Sequence, residues 1–302
     1  MLSILQSKVN GYSELSELKR NLNECYMQLA DKNYDRVVEI WKINKEISNQ
    51  IREKAIKLQN EEIANSMFVT MAYCEMLKNY SVYWKMLQEG KYKDSWGILQ
   101  DTIDRLIDVT RFHKNHSDFS INKFNNHMIE LEKLYPYKIF ASSEMVIKKK
   151  KCSICKKSLL DWDCIHIPGN LYWGQRAVAI CEEIQFHGVA LVEHPVDKRC
   201  VMELVDDSRT EKEKFMLLNY FVEQVDNPLQ LFSVHEEERV FYNEGYKELS
   251  RNDKCSCGSN KKFKKCCGKY KYERGSQFKI MLEDEIQLEP LKTAFDQIPP
   301  AG

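Results

Sequence analysis

The sequence predicts an α+β protein: an N-terminal α-helical bundle, a small antiparallel β middle domain held by a cysteine cluster, and a second cysteine-rich knuckle near the C-terminus. Three observations carry this. No proline precedes Pro136, and the first 135 residues hold only Gly11, Gly90 and Gly97, so little in that span interrupts helices. From about Leu171 to Leu204 the residues are rich in Val, Ile and aromatics and alternate with polar ones, as strands do. Seven of the eleven cysteines fall in two tight clusters, Cys152 to Cys164 and Cys255 to Cys267.

Residues 1–138 form the helical domain. Val37, Ile40, Trp41, Ile47, Ile51, Ala55 and Leu58 recur mostly at three- and four-residue steps. So do Met67, Met71, Cys74, Leu77, Tyr80, Trp84 and Leu87, and a third stripe runs Trp96, Leu99, Ile103, Leu106, Ile107. Four or five helices packed as a bundle fit this pattern. On these faces Cys25 and Cys74 read as small buried hydrophobes, and the tryptophans as core anchors.

Residues 139–210 read as a β-rich domain of two to four short antiparallel strands broken at Gly174, Gly188 and Pro195. Residues 211–250 follow as a mainly helical acidic connector, 251–270 as the knuckle and 271–302 as a C-terminal tail.

The 302 residues are 43% hydrophobic and 30% charged, with no net charge, but the signs are segregated. Glu182 to Gly245 hold fifteen acidic against six basic residues, net −9; Arg251 to Arg274 hold nine basic against two acidic, net +7. Such segments either attract each other or present separate fields to partners. No apolar run approaches the roughly 18 to 20 residues a bilayer span needs, and "MLSILQSKVN" turns polar too soon for a secretory leader. The expectation is a cytoplasmic bacterial protein without a membrane partner, whose cysteines are metal ligands and buried thiols rather than disulfides.

The stretch "CSICKKSLLDWDCIHIPG" sets Cys152 and Cys155 at CxxC spacing, followed by Cys164 and His166. A CxxC turn aims two thiolates at one ion, and two donors two apart on an extended piece point to one side, giving a tetrahedral Cys3His set. Sulfur-rich donors favour zinc over magnesium or calcium. A redox CxxC would sit at a strand-to-helix junction, which "KKKKCSICKK" does not resemble. "CIHIPGN" faintly resembles the ββα-metal (HNH) nucleases, but Cys164 stands where that family has an acidic residue, and no second CxxC follows at suitable spacing. Four protein ligands also leave no position for water or phosphate, so a structural role is expected.

The second cluster, "RNDKCSCGSNKKFKKCCG", closely resembles the SEC-C motif, the zinc-binding tail of the SecA preprotein-translocase ATPase. The family pattern is approximately RNDPCPCGSGKKYKKCCG. This sequence departs from it at Lys254, Ser256 and Asn260, and conservatively at Phe263. The resemblance implies zinc held by Cys255, Cys257, Cys266 and Cys267, and therefore two Zn2+ per chain with the first cluster. It also implies a binding surface: the SecA tail contacts the export chaperone SecB, and related modules are associated with ribosomes. Read from the residues alone, Lys261, Lys262, Lys264 and Lys265 flank Phe263, a pattern suited to phosphate contact with base stacking or to an acidic protein groove. Equally, the lysines offset the charge of four zinc-bound thiolates.

Finally, "RFHKNH" resembles the R-x4-H signature of HEPN ribonucleases. That resemblance implies Arg111 as a phosphate stabiliser and His116 as the group acting on the 2′-hydroxyl, although Phe112 departs from the family's polar residue beside the arginine. The sequence as a whole reads as a zinc-binding adapter without chemistry of its own, contacting protein, RNA or ribosome through the SEC-C knuckle. The alternative is an RNA-cleaving HEPN-like, or an HNH-like, nuclease effector in phage defence or a toxin system.

Overall fold

The computed structural model describes residues 12–113, 119–203, 209–246 and 248–285. The chain divides into two compact units: one takes in the described residues up to Leu231 together with Asp284 and Glu285, the other is Phe232–Glu283.

In the first unit, five helices run α1 (Glu14–Ala30), α2 (Tyr34–Lys57), α3 (Glu61–Gln88), α4 (Tyr92–Phe112) and α5 (Phe119–Lys133). Helix α3 packs against both α2 and α4 and is buried on several sides, through Met67, Val69, Tyr73, Met76, Leu77, Tyr80, Tyr83 and Trp84 among others. A helix apolar all round belongs in the middle of a bundle. The predicted stripes mostly face inward; Leu58 and Ile107 fall off them and are exposed. Trp41 is half-buried, with the ammonium groups of Lys45 and Lys78 at 5.3 and 4.9 Å from its ring.

One turn geometry joins α1 to α2, α2 to α3 and α3 to α4. Lys32, Gln59 and Gly90 each adopt positive φ (59°, 53° and 72°) just past a helix end. The following amides reach back to carbonyls five residues earlier: Asn33 to Gln28 at 2.8 Å, Asn60 to Ala55 at 2.8 Å, Lys91 to Met86 at 2.9 Å. This is the Schellman closure, which satisfies the last carbonyls of each helix. Asn60 then caps α3, its side chain accepting from the Ile63 amide.

After α5 the chain forms strand β1 (Phe140–Cys152), the two-residue strands β2 (Leu171–Tyr172) and β3 (Gln175–Arg176), and strand β4 (Ala179–Val192). β1 and β4 pair antiparallel along their whole length with bulges, and β2 pairs antiparallel with β3. The main strands are therefore longer than the short strands expected. The Phe140 end is anchored on α4: its ring stacks on Trp96 at 6.4 Å, and Trp96 Nε1 donates to the Lys198 carbonyl at 2.7 Å. Arg199 clamps the same loop to Asp101 and Asp104, both at 2.7 Å. Two short helices, α6 (Glu211–Lys214) and α7 (Met216–Gln224), complete the unit; a capping box from Thr210 to Glu213 starts α6.

The second unit is built on a ribbon of β5 (Gln230–Tyr242) and β6 (Tyr272–Glu285). Tyr242 packs on Tyr272 at 5.2 Å and Ser276 bonds Glu236, so the two strands run antiparallel. β5 lies within the span read as a mainly helical connector, and β6 within the span read as a tail. Among the described residues, no helix is long and apolar enough to cross a membrane.

Candidate metal centres

The first cluster follows directly from β1, which delivers Cys152 as its last residue. The chain then turns back: Lys156 takes φ +61°, its amide bonds the Cys152 carbonyl at 3.0 Å, and the Cys152 amide bonds the Lys157 carbonyl at 2.8 Å. This fold-back brings Cys155 alongside Cys152, and a second turn at Asp161 returns Cys164. One donor atom from each of Cys152, Cys155, Cys164 and His166 lies within 4.8 Å of every other.

Two observations test whether a metal ion fits. A tetrahedral ion bound by thiolates at about 2.3 Å separates its sulfurs by about 3.8 Å, whereas a disulfide holds them at about 2.05 Å. Cys155 and Cys164 Sγ stand 3.5 Å apart and are free thiols. The other observation is His166 Nδ1, which is buried and has no hydrogen-bond partner. A buried unpaired nitrogen costs stability that a cation would restore. The His166 ring is held edge-on against Tyr172 at 4.7 Å. Burial raises the Cys152 thiol pKa, but amide hydrogen bonds from Cys155 and Ile154 outweigh it, so the thiol lies below its ordinary value.

The loop carrying this cluster is docked on the helices. The Trp173 amide donates to Glu61 at 3.1 Å, the Gly174 amide to Asn65 at 2.7 Å, and Arg52 Nε to the Trp173 carbonyl at 2.9 Å. Gly174, at φ +73°, is so close that a Cβ would meet the Ala64 carbonyl at 2.5 Å. Arg176 is ion-paired with Asp108 of α4.

The second cluster lies between β5 and β6. Cys255, Cys257, Cys266 and Cys267 also offer four donor atoms within 4.8 Å of one another. Cys257 and Cys266 Sγ are 3.4 Å apart, and Cys266 and Cys267 3.8 Å. The thiols are unlike one another. The Ser259 hydroxyl and amide pull Cys257 down to about 6, and the Cys257 amide lowers Cys255. Its hydrogen bond to Cys255, reinforced by burial, pushes Cys267 up to about 12. Such a set shares protons until a metal ion displaces them.

Around the sulfurs the backbone is tightly bonded. The Cys255 amide donates to the Lys261 carbonyl at 2.9 Å, and the Phe263 amide to the Asp253 carbonyl at 2.8 Å. Gly258 and Asn260 supply the left-handed corners, at φ +79° and +56°. Asn tolerates that region, which accounts for its standing where the family pattern has glycine.

Both four-residue donor sets are brought together. Lys261, Lys262, Lys264 and Lys265 are all exposed on the knuckle. Phe263 is not available to stack on a partner: it is 1% exposed and packs against Tyr246 at 5.2 Å, serving as the knuckle's own core. Residues 251–268 hold no other large apolar side chain to bury, which is why the ring turns inward. Arg111 lies in the last turn of α4, its guanidinium against Gly169 and over the Phe112 ring, 5.4 Å away. His116 lies outside the described residues.

Residue-by-residue reasoning missed Ser259, whose hydroxyl lies 3.2 Å from Cys266 Sγ, and Tyr246, which bonds Cys267. Serine directly after the C-x-C-G turn is a signal for the first. Nothing in the spacing points to the second.

Comparison with known proteins agrees with this geometry. The family model of the SEC-C motif matches residues 251–269. Over 247 residues the chain is 27% identical to the protein translocase subunit SecA of Endomicrobium trichonymphae, covering 74% of this chain and 27% of that protein. A 50-residue stretch is 44% identical to the SecA subunit of Lawsonia intracellularis, covering 17% of this chain and 6% of that one. The chain thus spans about a quarter or less of the length of these relatives. No solved structure matches. Residues 251–269, with their four converging thiols, are a SEC-C motif.

Proposed function

We propose that the chain is a zinc-binding adapter: two structural Zn2+ ions, held by Cys152, Cys155, Cys164 and His166 and by Cys255, Cys257, Cys266 and Cys267, support a basic knuckle that docks on an acidic partner surface. The observation that carries this is the closure of both donor sets. Four protein atoms converge in each, which fills a tetrahedral ion and leaves no place for an activated water. The metal then supplies folding free energy, because neither short loop buries enough apolar surface to fold alone.

The partner is read from the knuckle's outer face. Lys261, Lys262, Lys264 and Lys265 are exposed while Phe263 is buried. Between Lys261 and Lys265 charge stands without an exposed ring, which suits phosphate or carboxylate contacts; outside this stretch the knuckle exposes Tyr270, with the Lys269 ammonium 4.6 Å from its ring. The likeness to protein translocase subunits supports seeking that partner among proteins and ribosomes engaged in synthesis or export.

Reversing the four lysines to glutamate in the zinc-loaded chain, followed by crosslinked capture from the native host, tests the reading. Loss of an acidic protein, RNA or ribosomal partner with both zinc ions retained is the expected result. RNA cleavage by the purified chain that disappears in both Arg111→Ala and His116→Ala would overturn it.

A further inference from the structure

The two edges of the β1–β4 ribbon are not alike. β1's outer edge is covered at both ends: Phe140 bridges Val201 with the Ala141 amide on the Cys200 carbonyl at 2.7 Å, and Lys151 bridges Ser158 with the Leu159 amide on the Lys150 carbonyl at 3.1 Å. Between these covers stand exposed Lys148, Lys149 and Lys150, a row that discourages pairing. β4's outer edge has neither a covering segment nor a lysine row; bulges at Glu182 and His187 leave Glu183–Phe186 as its regular stretch. Among the described residues, no backbone hydrogen bond from anywhere but β1 reaches Ala179–Val192. The only acidic or basic residues on β4 apart from His187 are Glu182 and Glu183, which are already ion-paired with Lys151 and Lys149.

The ribbon also has an unpartnered apolar face. Register places Met145 opposite Phe186, Ile147 opposite Ile184, Ser143 opposite Val189 and Ala141 opposite Leu191. Side chains paired across strands share a face. On β4 that face is open: Ile184 is 51% exposed, Phe186 61%, Val189 58% and Leu191 64%. A two-stranded ribbon with a bare apolar face is marginal by itself and gains stability from further strands.

We propose that β4 pairs antiparallel with β4 of a second copy of this chain, making a four-stranded sheet across a twofold axis. The strand's own sequence argues for a copy of itself. Centred on Gln185, between the two bulges, the self-pairing sets Ile184 against the other copy's Phe186 and brings Glu183 beside its His187, and symmetry repeats each pair. No like charges meet, and the apolar residues of both ribbons continue one face. A twofold contact of this kind is self-complementary and closes after two copies, so it does not propagate into fibres.

Sedimentation velocity of the full zinc-loaded chain at micromolar concentration, beside the double variant Ile184→Lys/Phe186→Lys, reads the contact. Both side chains are exposed, so the variant should keep its circular dichroism and zinc content. A wild-type dimer whose dissociation constant rises at least tenfold in the variant is expected. A second arm fixes the register: in Gln185→Cys the two copies' residues 185 face each other at about 5 Å between Cα atoms, close enough for a disulfide. Peptide mapping of the oxidised dimer should find the 185–185 link. A monomeric wild type, a dimer unchanged in the lysine variant, or a dimer lacking that link would each overturn the proposal.

Discussion

Arg176, on the β3 strand beside the first metal cluster, is ion-paired with Asp108 of α4, a side chain only 1% exposed. Arg105, one helical turn earlier, holds the other carboxylate oxygen at 3.2 Å. A carboxylate so deep in the protein is tolerable only with its partners, so the pair joins the metal-bearing loop to the helices through a term that is costly to break. Arg176→Met is expected to lower unfolding stability by about 3 kcal/mol in a denaturant titration, by leaving the buried Asp108 carboxylate with Arg105 as its ion-pair partner. A loss below about 1 kcal/mol, the range of exposed ion pairs, would show that the loop does not depend on this contact.

Metal removal should act unequally on the chain. The five helices bury their own core around α3, whereas on the adapter reading the two cysteine loops take their folding free energy from the ions they hold. Chelation is expected to release two zinc per chain and to expose Phe263 and the Cys152 loop to proteolysis, while most helical circular dichroism remains. Elemental analysis reads the stoichiometry, and Cys255→Ser and Cys152→Ser should each reduce it by one.

The corners of the SEC-C knuckle give a backbone test. Asn260 sits at φ +56°, and β-branched side chains are strongly disfavoured there, so Asn260→Val should weaken the zinc-loaded knuckle by about 1–2 kcal/mol. Asn260→Gly should match or slightly exceed the natural residue. Gly268 has a different constraint: a Cβ would meet the Phe263 carbonyl at 2.8 Å. Gly268→Ala should therefore reduce zinc affinity, measurable by competition with a chromophoric chelator.

Acid sensitivity should arise inside the bundle as well as at the metal. His127 is 1% exposed, 2.7 Å from the Tyr80 hydroxyl, and burial pulls its pKa down to about 3. Its folded value lies below the unfolded one, about 6.5, so the unfolded chain takes up the proton first. This contribution is intact above pH 6.5 and is lost as pH falls from there towards 3. Across that window the stability difference between wild type and His127→Gln should shrink by about 1.4 kcal/mol per pH unit. A difference independent of pH would place the proton elsewhere.

Much of this was legible in the sequence for local reasons. Helices α2 to α4 announce themselves through periodic apolar residues, and the two donor sets through C-x-x-C and C-x-C…C-C spacings that suit a shared ion. The Schellman turns were half visible: Gly90 signals one, but Lys32 and Gln59 adopt the same left-handed conformation without a glycine to mark it. Phe263 misled because lysines on both sides suggest exposure, whereas the lack of any other large apolar side chain among residues 251–268 turns the ring inward. Strands β5 and β6 were missed because each acquires its pattern from a partner some forty residues away. The docking of Arg52, Asn65 and Asp108 onto the first metal loop is a tertiary arrangement with no local signature.

The SEC-C knuckle is tethered at both ends to the β5–β6 ribbon. Its chain enters past Tyr242 and leaves at Tyr272, whose rings touch at 5.2 Å, and the Asn243 amide bonds the Lys271 carbonyl at 3.0 Å. Entry and exit are thus neighbours, and the motif occupies the place of a hairpin loop. A segment with adjoining ends and its own four converging thiols behaves as a cassette: it can be grafted into an exposed turn of another scaffold without stretching that scaffold. The same few residues can then be a free tail in one protein and an inserted loop in another, and the host's strands decide which way its lysines point.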